Sequence, residues 1–264
     1  MIIKEVIHAL EKFAPLPLQD DWDHSGLQIG LTDAEVTGAL LCLDVTEETV
    51  REAVDRGCNL VVAHHPLLFK GLRSITGADY VQRAVMTALK HDVTVYAMHT
   101  NMDNAPRGVN YELCRKLGLV PGEILAPIER SLPDGVGRAG AGMVGELPEP
   151  VSCADFLEHV KKVLGAESLR VAGYDPQRMI SRVAVCGGAG SFLAGRARGR
   201  ADMLLTGEIG YHDMFYADGL IMVAAGHFET EQHTIEIFKS VIESSCPSIR
   251  TVRTGITTNP IKYI

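Results

Sequence analysis

Several features that mark common protein classes are missing from this sequence. Lys and Arg number 25 against 33 Asp and Glu, a formal net charge of −8. The cation excess that displaces counterions from a polyanion is therefore absent, which argues against nucleic acid as a partner. An anionic small molecule stays open, because a bound dication can reverse the local field. No apolar run approaches the ~20 residues of a membrane span. Met1-Ile2-Ile3-Lys4-Glu5 has no charged n-region ahead of an apolar stretch. Both absences lead to the expectation of a soluble, cytoplasmic protein with no membrane partner. The six cysteines (Cys42, Cys58, Cys114, Cys153, Cys186, Cys246) contain no C-x-x-C pair, so buried, reduced thiols are expected. There is no Walker lysine, and no short tandem repeat is visible.

At 264 residues and 46% hydrophobic, the chain can bury a substantial core. Ile3, Val6, Ile7 and Leu10 recur at helical spacing and predict a helix over 2–13, stopped by Pro15 and Pro17. Apolar runs at 38–45, 59–63 and 93–98 alternate with helical patterns at about 46–56 and 79–91. That alternation predicts crossovers and a largely parallel sheet covered on both faces. A helix over 108–117 ends at Gly118. Residues 121–150, rich in Pro and Gly, suit a turn-laden β segment and a domain transition. Beyond it the pattern predicts strands near 168–172, 182–186, 203–206, 220–225 and 249–258. Helices are predicted over 152–164, 191–199, 211–218 and 229–244.

Four of these strands run into metal-grade side chains. Leu60–Ala63 leads to His64-His65-Pro66, and Val93–Met98 leads to His99 and Asp103. Met203–Thr206 leads to Glu208 and His212, and Leu220–Ala224 leads to His227 and Glu231. In open parallel sheets ligands bind beyond the carboxyl ends of the strands. Neighbouring strand residues point to opposite faces, but Pro66 cannot donate to a ladder, so the chain can turn there and present both rings. His227 and Glu231, spaced i, i+4, share one helix face, and the loop 100–102 can curl to bring in His99 and Asp103. This set of imidazoles and carboxylates suits divalent Zn, Fe, Mn or Ni. His64, His65, Asp103, His227 and Glu231 exceed one tetrahedral site and point to two ions, with Glu231 or Asp103 as the bridge. His99, Glu208 and His212 either ligate, orient a ligand ring or relay protons. His8, His24, His91, His159 and His233 read as surface or satisfied core residues. Cys186-Gly187-Gly188-Ala189-Gly190-Ser191 lacks a complete dinucleotide fingerprint; it reads as a tight strand-to-helix turn, with phosphate contact as the rival.

Several motifs occur in one order along the chain: Trp22-Asp23-x-x-Gly26-Leu27-Gln28-x-Gly30, His64-His65-Pro66-Leu67-x-Phe69 and His99-Thr100-Asn101-x-Asp103. After them come Gly187-x-x-Gly190-Ser191, Thr206-Gly207-Glu208, Gly226-His227-x-x-x-Glu231 and Thr258-Asn259-Pro260. From about residue 2 to 264 the chain resembles the Nif three-like dinuclear-metal-centre hexameric proteins, YbgI-like and often labelled GTP cyclohydrolase 1 type 2 homologues. The resemblance implies two similar α/β domains with mixed, largely parallel sheets flanked by helices, and a site in the interdomain cleft. Residues 1–125, completed by about 226–264, would form the first domain and 126–225 the second. It also implies a toroidal homohexamer, a trimer of dimers, with two divalent ions per subunit on His64, His65, Asp103, His227 and Glu231. His24 stands where asparagine is common in the family. The functional expectation is a metal-dependent hydrolase of a small substrate, a nucleotide or phosphorylated compound, with Glu208 or His212 relaying protons. Arg73, Lys70 or the glycine turn would meet phosphates. The alternatives are a metal carrier for cofactor assembly and a metal-stabilised scaffold.

Overall fold

The computed structural model describes residues 1–264, an α/β chain with two mixed sheets flanked by helices. It divides into two compact units, Met1–Met102 with Thr234–Pro260, and Asp103–His233 with Ile261–Ile264. No helix is long and apolar enough to cross a membrane.

In the first unit the sheet order is Gly26–Ile29, Thr94–Ala97, Leu60–Ala63, Ala39–Cys42, Thr251–Arg253. The three middle strands are buried at every residue and pair in parallel, as unbroken apolar runs do when both faces are covered. Gly26–Ile29 adds an antiparallel edge. Helix Ile3–Phe13 buries Ile3, Val6, Ile7 and Leu10. Helix Tyr80–Lys90 begins where the Asp79 carboxylate accepts from the Gln82 amide at 2.8 Å, a side-chain cap. The last strand is Thr251–Arg253, shorter than the 249–258 expected. Past it the Thr254 amide makes one more backbone bond, to the Leu41 carbonyl at 3.0 Å, and side chains take over: the Thr254 hydroxyl donates to Glu52, and the Thr258 hydroxyl donates to Asp44.

In the second unit the order is Val120–Pro127, Gly140–Ser152, Met179–Cys186, Met203–Thr206, Ile221–Ala224, Arg170–Ala172. Parallel pairing joins Met179–Cys186, Met203–Thr206 and Ile221–Ala224. The Pro/Gly-rich stretch supplies an antiparallel pair, and Arg170–Ala172 adds an antiparallel edge. Successive residues of Met203–Leu205 enter different core clusters, Met203 and Leu205 with Phe156, and Leu204 with Leu193. That is the period-2 signature of a sheet covered on both faces.

Three expected helices differ. Over 211–218 only the 3-10 turn Asp213–Tyr216 forms; Tyr211, Phe215 and Tyr216 are exposed, so no apolar stripe is buried to hold a longer helix. The 191–199 segment becomes a 3-10 turn, Ser191–Leu193, and one α turn, Ala194–Ala197. The 229–244 helix is two helices, His227–Glu231 and Thr234–Ser245. His233 in the break is buried, its Nε2 2.9 Å from the Val109 carbonyl.

Candidate metal centre

In the first unit, strand Leu60–Ala63 stops at the histidine pair. The amides of His64 and His65 both donate to the Leu43 carbonyl, at 3.1 and 3.0 Å. Two consecutive amides on one acceptor curl the chain off the ladder, which lifts the strand rule that would send the rings to opposite faces. The ring centroids of His64 and His65 lie 4.9 Å apart, and His99, just past strand Thr94–Ala97, lies 5.3 Å from His64 and 5.5 Å from His65. One ring nitrogen of each of the three lies within 4.8 Å of the others, a spacing that could hold a metal ion.

Each ring is fixed from behind through Nδ1. That of His64 is 2.8 Å from the Met98 carbonyl, that of His65 is 2.7 Å from Asp44 Oδ1, and that of His99 is 2.7 Å from Asp23 Oδ1. A carbonyl or carboxylate oxygen can only accept, so Nδ1 carries the proton and Nε2 is left as the nitrogen that could ligate a metal, the usual arrangement behind metal-bound imidazoles. Asp23 also accepts from the amides of His24 and Thr100 and the hydroxyls of Ser25 and Thr100. Burial alone would raise its pKa, but the His99 hydrogen bond and charge and the two hydroxyls outweigh that and hold it well below the ordinary carboxylate range. Asp44 is balanced the same way: burial pushes it up, and His65, the Thr258 hydroxyl and the His64 charge bring it down. Trp22, the single tryptophan of the chain, is exposed and stands edge-on to His99, ring centroids 5.9 Å apart.

In the second unit, helix His227–Glu231 starts directly after strand Ile221–Ala224. The i, i+4 spacing brings His227 Nε2 to 3.0 Å from Glu231 Oε2, while His227 Nδ1 lies 2.9 Å from Glu208 Oε1. Glu208 thus occupies behind His227 the position that Asp44 and Asp23 occupy behind their histidines. Asp103 lies in a short helix, Thr100–Asn104, rather than the loop expected. It is half-buried, and its carbonyl accepts from Asn110 Nδ2 at 3.1 Å. His212 is exposed and meets the ring of Tyr211 edge-on at 5.3 Å, apart from the hydrogen bonds that join Glu208, His227 and Glu231.

The glycine turn has a definite task. The amides of Gly187, Gly188 and Gly190 donate to Asn110 Oδ1, Thr230 Oγ1 and Thr206 Oγ1, so they are committed inside the fold instead of facing an anion. Gly188 has φ of +62°, and a Cβ there would fall 2.3 Å from Glu231 Oε1 and 3.1 Å from His227 Nε2. The turn is tight because the candidate ligands occupy the space a side chain would need. It is not a phosphate loop.

All six cysteines are buried, and none forms a disulfide. Burial pushes the Cys114 thiol up to about 12, which removes it as a thiolate ligand. Lys70 and Arg73 are exposed in the loop after the histidine pair. Asp23 and Asp44 escaped assignment in the sequence although both sit in visible signals, Asp23 after Trp22 and Asp44 at the end of an apolar run. The Thr258-Asn259-Pro260 signature now has a reason, since Thr258 steadies Asp44 with a 2.5 Å hydrogen bond.

The model of the family Duf34/NIF3 (NGG1p interacting factor 3) matches residues 1–260. The chain is 34% identical over 238 residues to a Clostridium perfringens protein named GTP cyclohydrolase 1 type 2 homolog, with 88% of this chain and 87% of that protein covered. It is 29% identical over 246 residues to NIF3-like protein 1 of Drosophila melanogaster, covering 91% and 81%. A Staphylococcus aureus protein of known crystal structure superposes with a TM-score of 0.90 at 28% identity, covering 100% of this chain and 99% of that one.

Proposed function

The chain belongs to the Duf34/NIF3 family, and on that premise we propose that it is a metal-dependent hydrolase of a small anionic substrate. In this reading His64, His65, Asp103, His227 and Glu231 hold two divalent ions, with His99 beside His64 and His65. The observation that carries it is the shared state of the imidazoles: His64, His65, His99 and His227 each have Nδ1 held by an oxygen acceptor. Satisfied core histidines have no reason to present the same ring nitrogen to an oxygen acceptor at strand exits, whereas ligands do. The donor set of imidazole and carboxylate, with every cysteine withdrawn, fits Zn, Mn, Fe or Ni. The chemistry such ions supply is Lewis acidity toward a carbonyl or phosphoryl oxygen and a lowered pKa for water.

The chain's own residues do the positioning. Asp44, Asp23, Glu208 and the Met98 carbonyl keep the proton on Nδ1 and set each ring plane, and the missing Cβ of Gly188 leaves Glu231 its place. His212, on its exposed turn, is left as a proton acceptor reachable from solvent.

Curated relatives named GTP cyclohydrolase 1 type 2 homolog make imidazole-ring opening of GTP the first reaction to test. Protein loaded in turn with Zn, Mn, Fe or Ni is incubated with GTP, and formate release is followed. Formate in proportion to protein supports the reading; none with any of the four metals overturns the GTP assignment. We also propose, from the family resemblance, a cytoplasmic homohexamer built as a trimer of dimers. Light scattering coupled to size exclusion checks the assembly, and a mass of one or two subunits would contradict it.

A further inference from the structure

Beside His227, within the second unit, lies a cavity of about 260 Å³. Its walls include Ser168, Arg170, Glu208, His227 and Tyr263. Sheet topology explains the company. Arg170–Ala172 runs antiparallel to Ile221–Ala224, with Arg170 opposite Ala224. The first residue of the edge strand is thereby delivered to the carboxyl end of its neighbour, where the chain turns into His227. The Arg170 side chain is exposed and makes no hydrogen bond or ion pair, and neither do the hydroxyls of Ser168 and Tyr263. By contrast Glu208, the carboxylate in the wall, is engaged by His227 Nδ1 at 2.9 Å. An uncommitted guanidinium in a concave site of a chain with net charge −8 is the feature expected of oxyanion recognition, because arginine matches phosphate and carboxylate with paired N–H donors.

We propose that this cavity is the anion-recognition part of the substrate site, with Arg170 as the specificity-determining residue for a small molecule bearing a phosphate or carboxylate. The inference rests on the hydrolase reading only in treating His227 as the reacting end. At 260 Å³ the cavity lies just under the ~300–1,000 Å³ that encloses a drug-sized ligand. It therefore takes a charged group with a sugar-sized body, or that portion of a larger substrate.

The test is equilibrium binding to the full-length protein by calorimetry, with chelator present so that no ion captures the anion. The probes are ribose 5-phosphate, malonate and uncharged ribose. Wild-type protein is expected to bind ribose 5-phosphate or malonate and not ribose, and whichever binds assigns the site to phosphate or to carboxylate. Arg170→Ala is expected to weaken that binding about tenfold to a hundredfold, the usual weight of hydrogen bonds to a charged group. Arg170→Lys is expected to recover part of it, since lysine keeps the charge without the fork. Tyr263→Phe and Ser168→Ala should have smaller effects. Equal affinity in Arg170→Ala, equal binding of ribose, or no binding of either anion by the wild type each overturns the proposal. The two readings separate cleanly. Arg170-dependent binding without turnover of any substrate keeps this inference and removes the hydrolase, while turnover untouched by Arg170→Ala does the reverse.

Discussion

Where strand Leu60–Ala63 ends, the amides of His64 and His65 both donate to the Leu43 carbonyl; where strand Met203–Thr206 ends, the amides of Gly207 and Glu208 both donate to the Gly188 carbonyl, at 2.7 and 2.9 Å. The two units thus use one backbone device to turn a central parallel strand off its sheet. They fill it with different chemistry. In the first unit the exit residue His65 is the candidate ligand, and its orienting carboxylate, Asp44, comes from the exit of the neighbouring strand. In the second the exit residue Glu208 is the orienting carboxylate, and the candidate ligand, His227, comes from the neighbour. Packing explains why the second unit has glycine first: a Cβ on Gly207 would fall 2.8 Å from the His227 Cα. Strand topology supplies the positions, and the side chains decide which strand provides ligand and which provides support.

Exchanged roles of this kind can be broken by substitution, and the largest effect belongs to the first unit. His64→Ala and His65→Ala should each weaken metal retention by more than the ~10–100-fold expected for orienting residues. Elemental analysis after dialysis, with Trp22 fluorescence as reporter beside His99, measures this; full metal content in either variant would remove the ligand assignment.

Gly188→Ala should cost about 1–3 kcal/mol of stability for a left-handed backbone and also displace Glu231. Urea unfolding with parallel metal analysis checks both effects, and a variant of native stability and metal content would mean the turn yields easily.

The orienting carboxylates differ in shelter. Side-chain exposure is 0% for Asp23, 35% for Asp44 and 55% for Glu208, and water replaces a lost acceptor more readily at an exposed site. Metal affinity in Asp23→Asn, Asp44→Asn and Glu208→Gln should therefore fall by a decreasing amount, within ~10–100-fold. The reverse order would show that exposure does not govern orientation here. Smallest of all is His212→Ala. Metal affinity should change by less than about twofold, since surface substitutions away from such features cost little; a larger loss would bring His212 into the metal site.

Within windows of a few residues the sequence already shows where the site lies. The runs at 60–63, 94–97, 203–206 and 221–224 emerge as fully buried strands, because an apolar run of that length has to be covered on both faces. Pro66 marks the end of a ladder, and i, i+4 spacing brings His227 to Glu231. Helices were less readable where burial failed to support the pattern, as at Tyr211, Phe215 and Tyr216. The segment 187–190 could be read as an anion loop or as a turn, and only the partners of its glycines, Asn110, Thr206 and Thr230, decide between the two.

What the amino-acid order determined alone is the supply of imidazoles and carboxylates at strand ends. Tertiary structure decided the pairing. Asp23 reaches His99 across 76 positions, and Asp44 reaches His65 across 21 and Thr258 across 214. Arg170 meets the His227 cavity only because an edge strand runs antiparallel. A tautomer is set by one hydrogen bond of about 2.7–2.9 Å, a distance that no local pattern encodes, and the folded sheet alone brings those atoms that close.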